Sequence, residues 1–164
     1  MSDDFKLVLK DTSKGDSRTS GGSPSLSEVY NATVIHQDEV ASLMKYLAKR
    51  LVQNGIVHDW TKTYNFDEEY GKLVTSNVKD DEFLKSDWWW KHLTCERHHV
   101  KDYAHLDVDL LDVLEFIVDR VVAEKGRTGS INMSYLELDP VILVRAYYNT
   151  IRKCDDVTVR GDME

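Results

Sequence analysis

The adjacent residues His58 and Asp59 carry the clearest chemistry in this sequence. Four more histidines flank the pair, one before it and three after it: His36, His92, His98 and His99. Imidazole nitrogens and carboxylate oxygens are ligands that first-row divalent metals accept, and an adjacent His-Asp pair supplies both from one short stretch of backbone. These residues therefore predict a site for a divalent metal ion, with Mn, Fe, Zn, Co and Mg all open.

The residues before this pair predict the helix that would position His36. Apolar side chains recur there at helical spacing: Val40, Leu43, Met44, Leu47 and Leu51. His36 lies on the same stripe, so we expect it to face inward, either as a metal ligand or as an ordinary hydrogen-bonded core histidine. Asn54 and Gly55 predict the end of this helix. The 22 positions from His36 to His58 are enough for one helix and a tight turn, so that both histidines can lie at the same depth in the helical bundle.

Three further helices complete the expected fold. Residues 83–99 contain no Gly or Pro, and residues 107–125 have the strongest helical pattern in the chain, ending before Gly126. Asp139-Pro140 is typical of the start of a last helix, which then runs through Ile151. Together these patterns predict an all-α protein with a bundle-like architecture.

Composition separates both ends of the chain from its body. Residues 11–25 are rich in Ser, Gly and Asp, and we expect residues 1–25 to form a flexible N-terminal segment. Within it, the apolar-polar alternation from Phe5 to Lys10 fits a short strand. We expect residues 26–154 to form a helical metal-binding domain and residues 155–164 to be a frayed C-terminal tail.

The downstream histidines share a stretch with a candidate acid-base residue. On a continuous helix, His92 and His99 lie on one face with Glu96 between them, so Glu96 is a candidate general acid or base. His98 would be rotated about 100° from His99, so a continuing helix could aim only one of the two at the site. A solvated polar face is the alternative interpretation of this stretch.

Carboxylates also line the strongest helix, at Asp112, Glu115 and Asp119. An apolar stripe is centred roughly opposite them, and carboxylates in that position usually form the wet face of an amphipathic helix. Helical periodicity alone therefore assigns none of the three to a metal.

His36, His58-Asp59 and a late-helix Asp together resemble the H…HD…D signature of the HD-domain metal phosphohydrolases, over roughly residues 30–125. The resemblance implies an HD-domain-like helical bundle, in which four side chains from separate helices hold one divalent metal. Members with extra histidines bind a second metal, and here His92 with His98 or His99 would take that place.

A closer similarity is to an uncharacterised family of small bacterial and phage proteins, a domain of unknown function. The motif that carries it is His58-Asp59-Trp60-Thr61-Lys62, followed by the aromatic and histidine-rich segment 88–99 and by Glu115 with Asp119. This similarity favours Asp119 over Asp112 as the last ligand.

The expected function is a metal-dependent phosphohydrolase acting on a nucleotide or another small phosphoester. Glu96 or a free histidine would move the proton, and Lys62 and Arg97 would neutralise phosphate charge. The alternative is a non-catalytic, phage-encoded protein that binds a protein partner or ligand and has a structural or vestigial metal site. A third hypothesis is an iron oxygenase with the same helical fold.

Composition limits the partners and the cellular compartment that we expect for this protein. The net charge is −8 and no Lys/Arg block occurs, which argues against a nucleic-acid partner. No apolar run approaches the roughly 20 residues that span a membrane. Cys95 and Cys154 are too few for a disulfide framework or a thiolate zinc site, which fits the cytoplasm, or a host cytoplasm for a phage protein. A protein partner or homo-oligomer stays open.

Overall fold

A computed structural model describes residues 5–16, 18–19 and 21–161, without the side chain of Tyr135. Within the expected flexible start and frayed end, positions 1–4, 17, 20 and 162–164 lie outside the described residues. The described residues are mainly helical with one short parallel strand pair, which confirms the predicted all-α class with a short N-terminal strand.

Seven α-helices and two strands make up the regular structure of the described residues, with short 3-10 turns at Ser13–Gly15 and Met133–Leu136. In chain order they are β1 (Leu7–Leu9), α1 (Leu26–Val57), α2 (Trp60–Thr63), α3 (Tyr70–Thr75), α4 (Asp80–Phe83), α5 (Asp87–Cys95), α6 (Leu110–Thr128), α7 (Pro140–Val157) and β2 (Thr158–Arg160). Among the described helices, none has the length and apolar character needed to cross a membrane.

The contacts divide the chain into two compact units. The first holds the chain up to Arg50 together with the segment from Ile151, and the second holds residues 51–150. This grouping differs from the single helical domain expected over residues 26–154. Helices α1 and α7 each contribute residues to both units.

In the first unit, β1 pairs in parallel with β2, and Val8 lies opposite Val159. Nearby, Phe5 stacks on the buried ring of Tyr46 with 4.4 Å between ring centroids. The C-terminal segment expected to be frayed thus has regular structure from residue 155 to residue 160. Each strand has only three residues, and its partner lies about 150 positions away, so no local pattern could reveal the pairing.

Gly15 marks the place where the N-terminal segment lies directly against α1. A Cβ atom at this position would overlap the carbonyl oxygen of Glu28 and the Cβ atom of Ala32. Only a residue without a side chain permits such a close backbone approach. Gly15 and Phe5 therefore both lie against α1 within the first unit, whereas the composition predicts a flexible segment here.

In the second unit, a small apolar core holds the start of α6 against α7. The buried core residues are Val100, Val108, Val113, Phe116 and Ala146. Asn149 of α7 donates to the carbonyl oxygens of Leu106 and Val108 at 3.0 and 2.8 Å. Asp109 caps α6 by accepting from the backbone N–H groups of Leu111 and Asp112. These bonds fix the helix that carries the site's carboxylates.

Helix α6 is rotated relative to the orientation that its periodicity predicts, although Val113 of the apolar stripe is buried as expected. Asp112 is 2% exposed and buried with Phe116, whereas Leu114 and Val118 are 45% and 58% exposed. The prediction that the carboxylate stripe is the wet face of α6 is wrong, because cationic and imidazole partners on other segments compensate the buried carboxylates. Hydrophobic periodicity cannot register such partners.

A stability test follows from the docking of Gly15. Gly15→Ala forces a methyl group into the backbone of α1, so we predict a loss of about 1–3 kcal/mol in the free energy of unfolding of the first unit. Gly22→Ala is the matched control, because a Cβ atom at Gly22 meets no atom within 4 Å. Thermal and urea melting of both variants measures the effect. Equal stability of the two variants would contradict the docked N-terminal segment.

Candidate metal centre

The site begins where α1 ends, with a left-handed turn at Asp59. Asp59 has a φ of 57°, a conformation that costs a residue with a side chain about 1–2 kcal/mol and that Asp tolerates better than most. The turn allows the neighbouring side chains of His58 and Asp59 to approach the same cluster. The α2 helix then starts immediately and brings Thr61 and Lys62 alongside.

The second segment enters through the C-terminus of α5. Helix α5 ends at Cys95, and Glu96 is extended, with φ −98° and ψ 112°. The helix predicted over residues 83–99 is therefore wrong in extent. Because His98 and His99 lie in the turn after the helix, both can face the same cluster as His92, which the predicted continuous helix did not permit.

Two groups of side chains could each hold a metal ion, and the first ligand group consists of Asp59, His92, His98 and His99. Asp59 Oδ1 lies 3.5 Å from Nε2 of His92 and 3.5 Å from Nε2 of His98. Two ligand atoms on one tetrahedral ion with bonds near 2.1 Å are about 3.4 Å apart. These separations are too long for strong hydrogen bonds and match the edges of a metal polyhedron.

The second ligand group consists of His58, His98 and Asp119. His58 Nε2 lies 3.5 Å from Asp119 Oδ1 and 3.5 Å from Asp59 Oδ2. The two oxygens of Asp59 thus face different groups, Oδ1 toward the buried histidines and Oδ2 toward His58. His98 belongs to both groups, and Asp59 of the first group approaches the second through its contact with His58.

A carboxylate behind His58 sets the direction of its ring. Nδ1 of His58 lies 3.0 Å from Glu115 Oε1. Burial alone would raise the pKa of Glu115, but its hydrogen bonds with His58 and His98 lower that pKa to about 2. Glu115 is therefore ionised and accepts, so Nδ1 of His58 donates. The carboxylate holds the His58 ring with Nε2 toward Asp59 and Asp119.

A hydroxyl bridge orients His92 in the same way. Thr61 donates through both its backbone N–H and its Oγ1 to Oε1 of the buried Glu96, at 2.9 and 2.7 Å. Since its proton is used there, Thr61 Oγ1 accepts from His92 Nδ1 at 2.6 Å. His92 Nε2 consequently carries a lone pair, and it lies only 2.7 Å from His99 Nε2.

Several buried polar atoms at this point have no hydrogen-bond partner. They include Asp59 Oδ1 and His98 Nε2, which face each other at 3.5 Å. Buried polar atoms almost always have a partner, and a cation between convergent lone pairs supplies one. The orphaned atoms and the mixed nitrogen and oxygen donors both fit a divalent metal ion.

Charge inside the cluster is uneven. Hydrogen bonds to Asp119 and Glu115 raise the pKa of His58 to about 10, so its ring is protonated at neutral pH in the metal-free protein. Burial lowers the pKa of His92 to about 3, with help from the neighbouring His99. His92 is thus neutral, but its Nε2 accepts from His99 Nε2 at 2.7 Å, so a metal would have to displace that hydrogen bond as well as a proton from His58.

Arg97 has a different role from the one its sequence position predicts. Its guanidinium donates to both carboxylate oxygens of Asp112, at 2.9 and 2.7 Å, and to Asp107 at 3.1 Å. These bonds tie the turn after α5 to the start of α6. Asp112 is accordingly in neither ligand group, and Asp119 is the α6 carboxylate that joins one.

His36 lies on α1 in the first unit, and its side chain is exposed. The expectations that His36 faces inward and that Asn54-Gly55 ends its helix are wrong. Helix α1 continues without a break to Val57, because a single glycine costs a helix only about 1 kcal/mol. Neither ligand group found among the described residues includes His36.

The remaining predicted residues lie in the second unit. Lys62 Nζ contacts Asp59 Oδ2, which places an ammonium group at the cluster. Glu96 is 4% exposed and stands behind Thr61, so it orients His92 from a distance. Sequence reasoning placed Thr61 and Glu115 in the family motif but assigned neither a role in orienting a ligand. The position of Glu115 one helical turn before Asp119 was the available signal for its role.

The family of unknown function DUF5662 matches residues 25–141, and the chain belongs to this family. No curated protein matches the chain. No solved structure matches it either.

The Thr61 bridge provides a test of ligand orientation. Thr61→Val removes the hydroxyl between His92 and Glu96, so we predict a 10–100-fold loss of metal affinity, the usual effect of losing a group that orients a ligand. Thr63→Val is the matched control, because Thr63 is an exposed residue of the same helix. Competition with a chelating dye measures both affinities. An unchanged affinity in Thr61→Val would remove His92 from the ligand set.

The raised pKa of His58 predicts a proton-linked metal affinity. Between the ordinary histidine pKa of 6.5 and the shifted value of about 10, metal must displace one proton from His58. Apparent affinity should therefore rise about tenfold for each pH unit from pH 7 to 8.5. Calorimetric titration in buffers of different ionisation enthalpy should show about one proton released. Affinity that is flat above pH 7 would exclude His58 as a ligand.

Proposed function

We propose that this protein is a metal-dependent phosphohydrolase acting on a small phosphoester, a class that includes nucleotides. The observation that carries the proposal is the arrangement of the second ligand group, His58, His98 and Asp119, which is called the His58 group from here on. It offers three protein ligands, and two of them, His58 and Asp119, have side chains 25% and 22% exposed. Three protein ligands with an accessible side are the pattern of a catalytic metal site.

The donor set favours some metals over others. Imidazole with carboxylate suits Zn, Mn, Fe or Co, whereas Mg prefers oxygen ligands alone. A divalent metal held there would lower the pKa of bound water and polarise the phosphoryl oxygen. In the hydrolysis, the oxygen of water bonds to phosphorus, the ester P–O bond breaks, and the alcohol leaves with a proton from that water.

The chain's own residues supply charge and position. Lys62 is anchored by Asp59 and one-third exposed, so its ammonium can approach a phosphate beside His58. Arg97 is engaged with Asp112 and Asp107, and we assign it no contact with phosphate. Because Glu96 is screened from solvent by Thr61, we propose a positioning role for it in place of proton transfer.

The burial of the other group favours a structural metal as a second candidate function. His92 and His98 are 0% and 1% exposed, and with Asp59 and His99 they offer four ligands. Closed four-ligand sites of this kind stabilise folds. A protein with metal only in this group would bind a partner or ligand without catalysis.

Two carboxylate variants separate these functions. Asp119→Asn should lower hydrolysis of p-nitrophenyl phosphate in Mn²⁺, Co²⁺ or Zn²⁺ at least about 100-fold while leaving the melting temperature nearly unchanged, because it weakens only the accessible group. Asp59→Asn should weaken metal binding at least about tenfold, since it removes charge shared by both groups.

Asp87→Asn is the control, an exposed carboxylate of α5 outside both groups. Hydrolysis by the metal-loaded wild type that is no faster than in Asp119→Asn would overturn the phosphohydrolase. If Asp59→Asn also lowered the melting temperature steeply, the structural-metal function would replace the phosphohydrolase.

A further inference from the structure

A pocket of about 350 Å³ opens directly beside the His58 group. Its walls are apolar and come from the last turns of α1 and from α6: Leu51, Val52, Gly55, Val118 and Val122. Its polar end is formed by His58, Glu115 and Asp119. All of these residues belong to the second unit, so the pocket lies within one compact body.

The walls of this pocket are unusual for the surface of a folded unit. Val52, Val118 and Val122 are 63%, 58% and 66% exposed, although hydrophobic side chains next to a charged cluster gain from being covered. The wall side chains have no hydrogen-bonding atoms, and helical backbone groups bond within their own helices. The pocket therefore presents hydrocarbon to any ligand and polar groups only at the His58 end.

This distribution of chemistry discriminates between ligand classes. A nucleobase brings several donors and acceptors that lose water on burial and need partners, which these walls do not offer. An aliphatic chain gains free energy from every methylene that it buries and needs no partner. The matching ligand is thus amphipathic, with a charged head at the His58 end and a hydrocarbon tail.

We propose that the pocket binds the alkyl chain of a phosphoester whose phosphate lies at His58 and Asp119. The proposal rests on the proposed function and narrows its substrate class from small phosphoesters to alkyl phosphates. The volume lies near the lower end of ligand pockets, which are about 300–1,000 Å³, so the chain is short.

Gly55 gives direct access to the pocket for mutagenesis. A Cβ atom at Gly55 meets no atom within 4 Å, so a side chain can be added without displacing the fold. Because Gly55 itself lines the pocket, Gly55→Leu places its side chain in the space that the alkyl chain would use.

A second pair of variants does not depend on filling space. Val122→Asn puts a polar amide on the pocket wall, and Leu114→Asn makes a comparable change on an exposed residue of α6 outside the pocket.

The experiment measures binding of n-alkylphosphonates, from methyl to octyl, to the Mn²⁺-loaded full chain by calorimetry. Their P–C bond is not hydrolysed, so binding is read without turnover. Affinity should rise roughly three- to fourfold per methylene until the pocket is full, from the usual transfer free energy of a methylene. Gly55→Leu should remove this dependence, Val122→Asn should weaken it, and Leu114→Asn should preserve it. Adenosine 5′-monophosphate should bind no better than methylphosphonate.

A metal-free readout accompanies the titration. Hexan-1-ol added to the metal-free protein should shift the methyl NMR signals of Val52, Val118 and Val122 in the wild type and not in Gly55→Leu. Affinity without chain-length dependence, tighter binding of the nucleotide, or an unaffected Gly55→Leu would each overturn the alkyl pocket. So would a change in oligomeric mass in Val122→Asn without chain-length dependence, because the pocket would then be a contact between copies.

Failure of this proposal is distinguishable from failure of the proposed function. Chain-length-dependent binding without hydrolysis of any alkyl phosphate would keep the pocket and reject the hydrolase. Hydrolysis of phosphoesters that is insensitive to chain length and to Gly55→Leu would keep the hydrolase and reject the pocket.

Discussion

The arrangement of the second unit depends on the electrostatic balance around the Asp59 carboxylate. Its Oδ1 faces His92 and His98, while its Oδ2 faces His58 and Lys62. Such a concentration of charge and imidazole inside a small unit is costly unless each group has a counter-charge or a metal. The left-handed turn at Asp59 and the early end of α5 are the local backbone features that make this convergence geometrically feasible.

Residues that contact the cluster from behind fix the orientation of its histidine rings. Glu115 fixes the ring of His58, and the Thr61–Glu96 pair fixes the ring of His92, so both present Nε2 inward. Arg97 joins the histidine-bearing turn to α6 through Asp112. The two halves of the cluster differ in solvent access. The histidines of the first ligand group are buried, whereas the His58 group borders an apolar pocket. Under the proposed function, the buried half would hold a stabilising metal and the accessible half a reactive one.

Helix content and the identities of most clustered residues could be predicted from the sequence. The direction in which helix faces and side chains point could not. His58, Asp59, His92, His98, His99 and Asp119 share enough chemistry to be recognised as one set. Helical periodicity misplaced His36 and the faces of α6, because it counts apolar residues and cannot register ionic partners from distant segments. It also extended α5 to His99, since no Gly or Pro marks the turn at Glu96. The β1–β2 pair was hidden because its partners are far apart in the chain.

We infer that Asp59 lies between two metal positions built from these side chains. A crystal structure of the Mn²⁺- or Zn²⁺-loaded protein with anomalous diffraction would show whether both positions exist. We expect an anomalous peak about 2.0–2.2 Å from Asp59 Oδ1 and from one ring nitrogen of each buried histidine. We expect a second peak bound by His58 and Asp119, beside the apolar pocket. No peak at either position under saturating metal, or a peak held by other residues, would contradict this inference.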